Sequence, residues 1–235
     1  MKATMKYFIS DGIRPCSRFL IASFCFFISC SKPFPESPLL DLVLLQSIQN
    51  QLNANSTTTI TNTTKYIFVT QATFQGNLGG VSGADTICQN EKENNFSSLA
   101  GAKSEYKSLL VDGVARVACL TANCTSTIGN NTNWVLQPNS KYYRPDEQLV
   151  FETNGAGIFV FGTLTNAFST VGTDQWWTGL DTNWTTSGDD CSNWVSNAGG
   201  VFALFGLGAN TNDSAISDFA STACSNSKKL LCVRN

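Results

Sequence analysis

Six cysteines, Cys88, Cys119, Cys124, Cys191, Cys224 and Cys232, set the strongest limit on what this chain can fold into, because they must either be brought together in pairs or be kept reduced. The compartment decides between these outcomes, and the amino terminus points to the compartment. Lys2, Lys6, Arg14 and Arg18 precede an uncharged run, residues 19–29 (FLIASFCFFIS). Such a run matches the apolar core of a signal peptide and falls well short of the roughly 20 residues that span a bilayer. An exported chain meets an oxidising environment, so an even number of cysteines reads as three disulfides. Counting alone leaves their connectivity open. Structural zinc is a poor alternative, since there is no Cys-x-x-Cys pair and the chain has no histidine.

The remaining cysteines, Cys16, Cys25 and Cys30, belong to the leader or its boundary. Phe27-Ile28-Ser29-Cys30 sets a large apolar residue three places before a cysteine and a small one directly before it. This resembles the relaxed lipobox of spirochaete lipoproteins, in which the cysteine becomes the acylated first residue, and departs from the stricter Leu-Ala-Gly-Cys form. It implies a signal peptide over 1–29 and lipidation at Cys30. Several acyl chains on one residue make release from a membrane negligible, whereas one chain gives only marginal binding. Asp11 and Pro15 interrupt the basic region, so Met5 is as compatible with the true start as Met1.

Residues 30–64 form a separate segment. Three prolines fall within 31–38, residues 39–52 (LLDLVLLQSIQNQL) read as a short helix apolar around most of its circumference, and residues 53–64 (NANSTTTITNTT) are polar and uncharged. The last stretch has too little apolar side chain to offset the entropy of ordering it and reads as a tether. A domain over 65–235 follows. The chain's 42% hydrophobic content supplies a core, while 14% charged residues and a net charge of −2 exclude a basic nucleic-acid binder. The absence of histidine removes Ser-His-Asp and Cys-His nucleophiles and any imidazole switch.

Along the domain, residues 66–70 (YIFVT) read as a strand, 76–83 as a glycine-rich turn and 84–92 as a helix with Ala84, Ile87 and Cys88 on one side. A short helix is expected over 105–110 and a turn followed by a strand over 111–120. Short strands are expected at 134–136, 148–151, 158–161, 176–180, 202–208 and 230–233. Helix is the minority, which argues for an α+β domain with much loop.

Four motifs carry a resemblance. Gly83-Ala84-Asp85-x-x-Cys88, Trp177-Thr178-Gly179-Leu180, Cys191-Ser192-Asn193-Trp194 and Cys224-x7-Cys232 follow the order seen in C-type-lectin-like domains. The chain resembles more closely the lectin-like, endostatin-related domain of unknown function found in leptospiral surface lipoproteins, over about residues 65–235. The resemblance implies a C-type-lectin-like/endostatin-like α+β fold with short helices, a small mixed or antiparallel sheet and long loops. It implies nested bridges Cys88 to Cys232 and Cys191 to Cys224, leaving Cys119 to Cys124 as a local pair. It also implies ligand contact by the loop region between Cys191 and Cys224. Calcium-dependent sugar binding does not transfer. Gln137-Pro138-Asn139 lies on the wrong side of Trp177 for the calcium tripeptide, and no Trp-Asn-Asp occurs. No cofactor is therefore expected.

Asp189 and Asp190, with Asp181, Asp213 and Asp218 nearby, are candidates for a hard-cation or ligand site, although solvated loop carboxylates are the plainer reading. Of the five tryptophans, Trp177 and Trp194 are expected to be buried by the family pattern. Neighbours Trp176 and Trp177 face opposite sides of a strand, so at most one is expected in the main core. Trp184, set among Asn and Thr, is the best candidate for an exposed binding platform. Seven Asn-x-Ser/Thr sequons, beginning at Asn55, Asn62, Asn95, Asn123, Asn130, Asn183 and Asn212, follow from the Asn/Thr-rich composition if the host is bacterial. The sequence thus points to an exported, outer-membrane lipoprotein whose lectin-like domain binds an extracellular protein or glycan without catalysis, as an adhesin for host matrix or plasma components would. The alternatives are a structural lipoprotein facing the periplasm and, further off, a carboxylate-based hydrolase.

Overall fold

Tyr, Ile, Phe and Val in succession suit a pleated surface, and Lys65–Val69 forms strand β1. The computed structural model describes residues 63–235; the signal peptide, Cys30, the 39–52 segment and the tether up to residue 62 lie outside the described residues. β1 is the centre of a five-stranded mixed sheet. Its other strands are β2 (Tyr106–Ser108), β3 (Lys141–Tyr143), β4 (Leu149–Glu152) and β9 (Leu231–Arg234), in the order β2-β9-β1-β3-β4. β1 runs antiparallel to β9 and parallel to β3. Two small two-stranded ladders complete the β structure: β5 (Gln175–Trp177) with β7 (Phe205–Leu207), and β6 (Phe202–Ala203) with β8 (Thr222–Ala223). The protein is a mixed α+β domain with little helix, small sheets and three disulfides.

The sheet is buried on both faces, so successive residues of one strand serve different cores. Ile67, Leu231 and Val233 point into one core, and Tyr66, Phe68, Leu230 and Cys232 into the other. This agrees with the expectation that the paired tryptophans do not share one core. Trp176 and Trp177 do face opposite ways, yet both are fully buried, because each face carries its own apolar layer.

One layer is built on helix α1 (Gly80–Asn94), which turns Val81, Ala84 and Cys88 toward the sheet. The helix starts inside the expected glycine turn. Gly79, at φ 83°, adopts the left-handed conformation that only glycine enters cheaply, and so launches the helix four residues early. Cys88 on α1 bridges to Cys232 on β9, tying helix to sheet across 144 residues of sequence. Cys191 bridges to Cys224, and Cys119 to Cys124.

Where the sequence suggests a helix over 105–110, the chain instead forms β2 after a single turn at Lys103–Glu105. Tertiary bonding overrides propensity here. β2 pairs with β9, and its outer edge is occupied by two side chains: Asp85 of α1 accepts the Ser108 N–H, and Arg116 donates to the Ser108 carbonyl. Segments 111–120, 134–136 and 158–161 form no strands. Their buried apolar residues, such as Val111, Leu136 and Phe159, pack in irregular loops against the sheet, held by scattered backbone hydrogen bonds such as Val111 N–H to the Thr178 carbonyl and by an isolated bridge between Val117 and Thr132. Leucine and phenylalanine in short runs mark burial as readily as strand.

Candidate binding cleft

The residues singled out from the sequence do not converge on one site. Trp184 is fully buried, contrary to its expected role as an exposed platform. Its Nε1–H donates to the Phe159 carbonyl at 2.9 Å, its ring meets Phe159 edge to face at 4.8 Å, and Phe161 stacks on it at 5.9 Å. The polar neighbours in sequence misled, because its φ of 71° swings the side chain inward while Asn183 and Thr185 stay nearer the surface. Trp177 and Trp194 are buried, each donating its indole N–H to a backbone carbonyl, Phe74 and Val111 respectively.

Asp189 and Asp190 part company. Asp189 is exposed, whereas Asp190 is buried and caps the turn Cys191–Trp194, accepting the Asn193 N–H at 2.9 Å. All four residues of that turn have φ between 55° and 64°, a left-handed coil that L-residues rarely sustain. The Cys191–Cys224 bridge, the Asp190 cap and the Trp194 anchor hold it. Gly179 lets it pack: at φ 66°, with the Val111 carbonyl and the Trp194 ring against it, the position has no room for a side chain. Burial pushes the Asp190 carboxyl above the ordinary carboxylate range, against the Asn193 N–H that favours its charged form. A buried, capping carboxylate in this setting is structural rather than ligand-facing. Among the described residues no three His, Cys, Asp or Glu side chains group as a metal would need.

A concavity of about 290 Å³ lies elsewhere, at the carboxyl end of β1. Phe68, Phe96 and Phe168 line it, and Phe96, beyond the end of α1, stacks on Phe68 at 4.1 Å between ring centroids. Two ion pairs line it. Arg144 holds Asp146 through two hydrogen bonds, 3.1 and 2.8 Å, and donates its third nitrogen to the Ala167 carbonyl. That guanidinium keeps the Asp146 carboxyl below the ordinary range. Opposite, Lys229 pairs with Asp174 at 2.8 Å, and the Ser169 hydroxyl donates to the same carboxylate at 2.6 Å.

This polar set is self-neutralising. A serine beside a carboxylate resembles part of a hydrolytic arrangement, but Asp174 is engaged by the Lys229 ammonium, and Ser169 itself accepts the Val171 N–H. The half-buried Phe96 ring and these fixed hydrogen-bonding groups make up the lining of the cleft. The sequence reading did not find this cleft. Its signal was the Arg144-Pro145-Asp146 run, a turn that ends β3.

A family profile described as "Protein of unknown function (DUF1554)" matches residues 71–212, more than half of the chain. The chain belongs to the DUF1554 family. The DUF1554 match begins at Gln71 on the cleft wall and takes in α1, the left-handed turn and β5 to β7, ending before Cys224 and Cys232. None of the curated proteins compared matches the chain. No helix among the described residues is long and apolar enough to cross a membrane.

Proposed function

We propose that this DUF1554 protein is a bacterial envelope lipoprotein, anchored through acyl chains on Cys30, which presents a C-type-lectin-like, endostatin-related domain outside the cell as a non-enzymatic binding module. Its partners are extracellular proteins or glycans, with host matrix and plasma proteins the first to test. The observation that carries the reading is the nesting of Cys88–Cys232 around Cys191–Cys224, behind a leader that ends in a lipobox-like cysteine. The first of these bridges locks the helix to the last strand, the second closes the long loop segment, and both need an oxidising compartment. The ion-paired carboxylates of the cleft support binding over catalysis.

The test has three parts. Non-reducing peptide mapping of the native protein should recover these bridges and an acylated Cys30 at the mature amino terminus. Protease treatment of intact cells should then digest the domain, and the purified domain should bind matrix or plasma components saturably. Digestion only after permeabilisation would favour a structural lipoprotein facing the periplasm, and free thiols in the native protein would overturn the reading.

A further inference from the structure

The cleft opens where the central strand loses a neighbour. β3 pairs with β1 only at Lys65↔Tyr142 and Tyr66↔Tyr143, while β1 continues to Val69. Continuing the parallel register would set Pro145 opposite Phe68, and proline has no N–H to give to the ladder. The Arg144 N–H turns aside to the Gln148 carbonyl at 2.9 Å, and the hairpin leads away to β4. The far half of β1 therefore has β9 on one side and the cleft on the other.

The bonding pattern shows which backbone groups face the cleft. The Thr70 N–H donates to the Leu230 carbonyl, so Thr70 and, two residues earlier, Phe68 direct their backbone groups at β9. Leu231, opposite Val69, instead accepts the Leu109 N–H from the other side. Val69 is thus in a non-hydrogen-bonded pair with β9. Its N–H and C=O, and the C=O of Ile67, point toward the gap that β3 leaves.

We infer that the cleft captures an extended segment of a partner polypeptide, which adds to β1 alongside Ile67–Val69 and continues the sheet where β3 departs. A donor and two acceptors at strand spacing are the complement of another backbone, whereas a sugar would need hydroxyls set at that same pitch. The Phe96 ring, stacked on Phe68, gives an apolar or aromatic side chain of the segment a surface to cover. Arg144 and Lys229 are already matched by Asp146 and Asp174, so the segment needs no net charge. This rests on the binding reading above and names the class of partner.

The experiment uses a displayed library of short random peptides against the disulfide-intact domain. The selected peptides should alternate apolar and polar residues, bind with little dependence on salt, and lose about tenfold or more in affinity when N-methylated at alternate positions only. Val69→Pro removes the outward N–H without breaking a bond to β9 and should cause a similar loss. If that variant misfolds, the N-methyl scan on the unaltered domain decides alone. Affinity indifferent to N-methylation, a library without binders, or binding confined to a glycan array would each overturn the inference. Matrix or plasma-protein binding that survives Val69→Pro would also overturn it, while leaving the proposed function standing.

Discussion

Arg116 grips Asp85 through two parallel hydrogen bonds, Nη1 to Oδ1 at 3.0 Å and Nη2 to Oδ2 at 2.7 Å, with the arginine wholly buried. The same guanidinium donates to the carbonyls of Ser108 and Asn133. Helix α1, the outer edge of β2 and the 111–133 region are thereby joined at one side chain.

Arg116→Ala should therefore cost about 3–5 kcal/mol, because it strands a carboxylate and an edge carbonyl. Urea denaturation should show the midpoint falling at nearly constant slope. Changing Asp85 and Arg116 together to apolar residues should cost less than the two single changes summed.

The disulfides should contribute unequally. In the chain-entropy account, the Cys88–Cys232 link, with its separation of 144 residues, stabilises by about 5 kcal/mol and Cys119–Cys124, with a separation of 5, by about 2 kcal/mol. Paired alanine replacements, compared by thermal unfolding, should rank in that order. An equal effect of the two pairs would count against the account.

Trp184→Ala should act on the fold rather than on a ligand. Removing an indole packed among Phe159, Phe161 and Trp134 should cost about 3–5 kcal/mol. Calorimetry checks the loss, and binding measured at a temperature where the variant remains folded should be unchanged.

Asp190 should make the domain's stability depend on pH. Its folded-state pKa is raised by burial, so its favourable contribution is complete below the unfolded value of about 3.9 and is lost as pH rises through the higher folded value. Asp190→Asn keeps a capping oxygen and removes the buried charge. The variant should melt higher than the parent at neutral pH, and the difference should shrink or vanish in acid. Asp189→Asn, at an exposed position, should stay within about 0.5 kcal/mol of the parent.

The legibility of this domain in its sequence follows the range of the interactions involved. β1 was readable because consecutive β-branched and aromatic residues leave few alternatives, β9 because a short apolar run (Leu230-Leu231-Cys232-Val233) stands between polar residues, and α1 was readable in type though not in its start. β2 was not, since Tyr106–Ser108 becomes a strand only through β9 and through a carboxylate and a guanidinium from distant positions. Trp184 failed for a related reason. Its neighbours describe the loop's surface, while a single left-handed residue decides where the indole goes. The cleft was invisible because it arises from a missing pairing, and only Pro145 recorded in advance that the ladder would stop.

β1 is joined to the preceding chain at Lys65, and the cleft sits at its opposite end. Tension applied between residue 64 and a molecule held in the cleft would run along the strand's own axis. The bonds to β9 lie across that axis and would have to yield together, not one after another. β9 in turn is clamped to α1 through Cys232. In such a geometry the load falls on the β1–β9 bonds in shear, and a captured segment lying along β1 would share it.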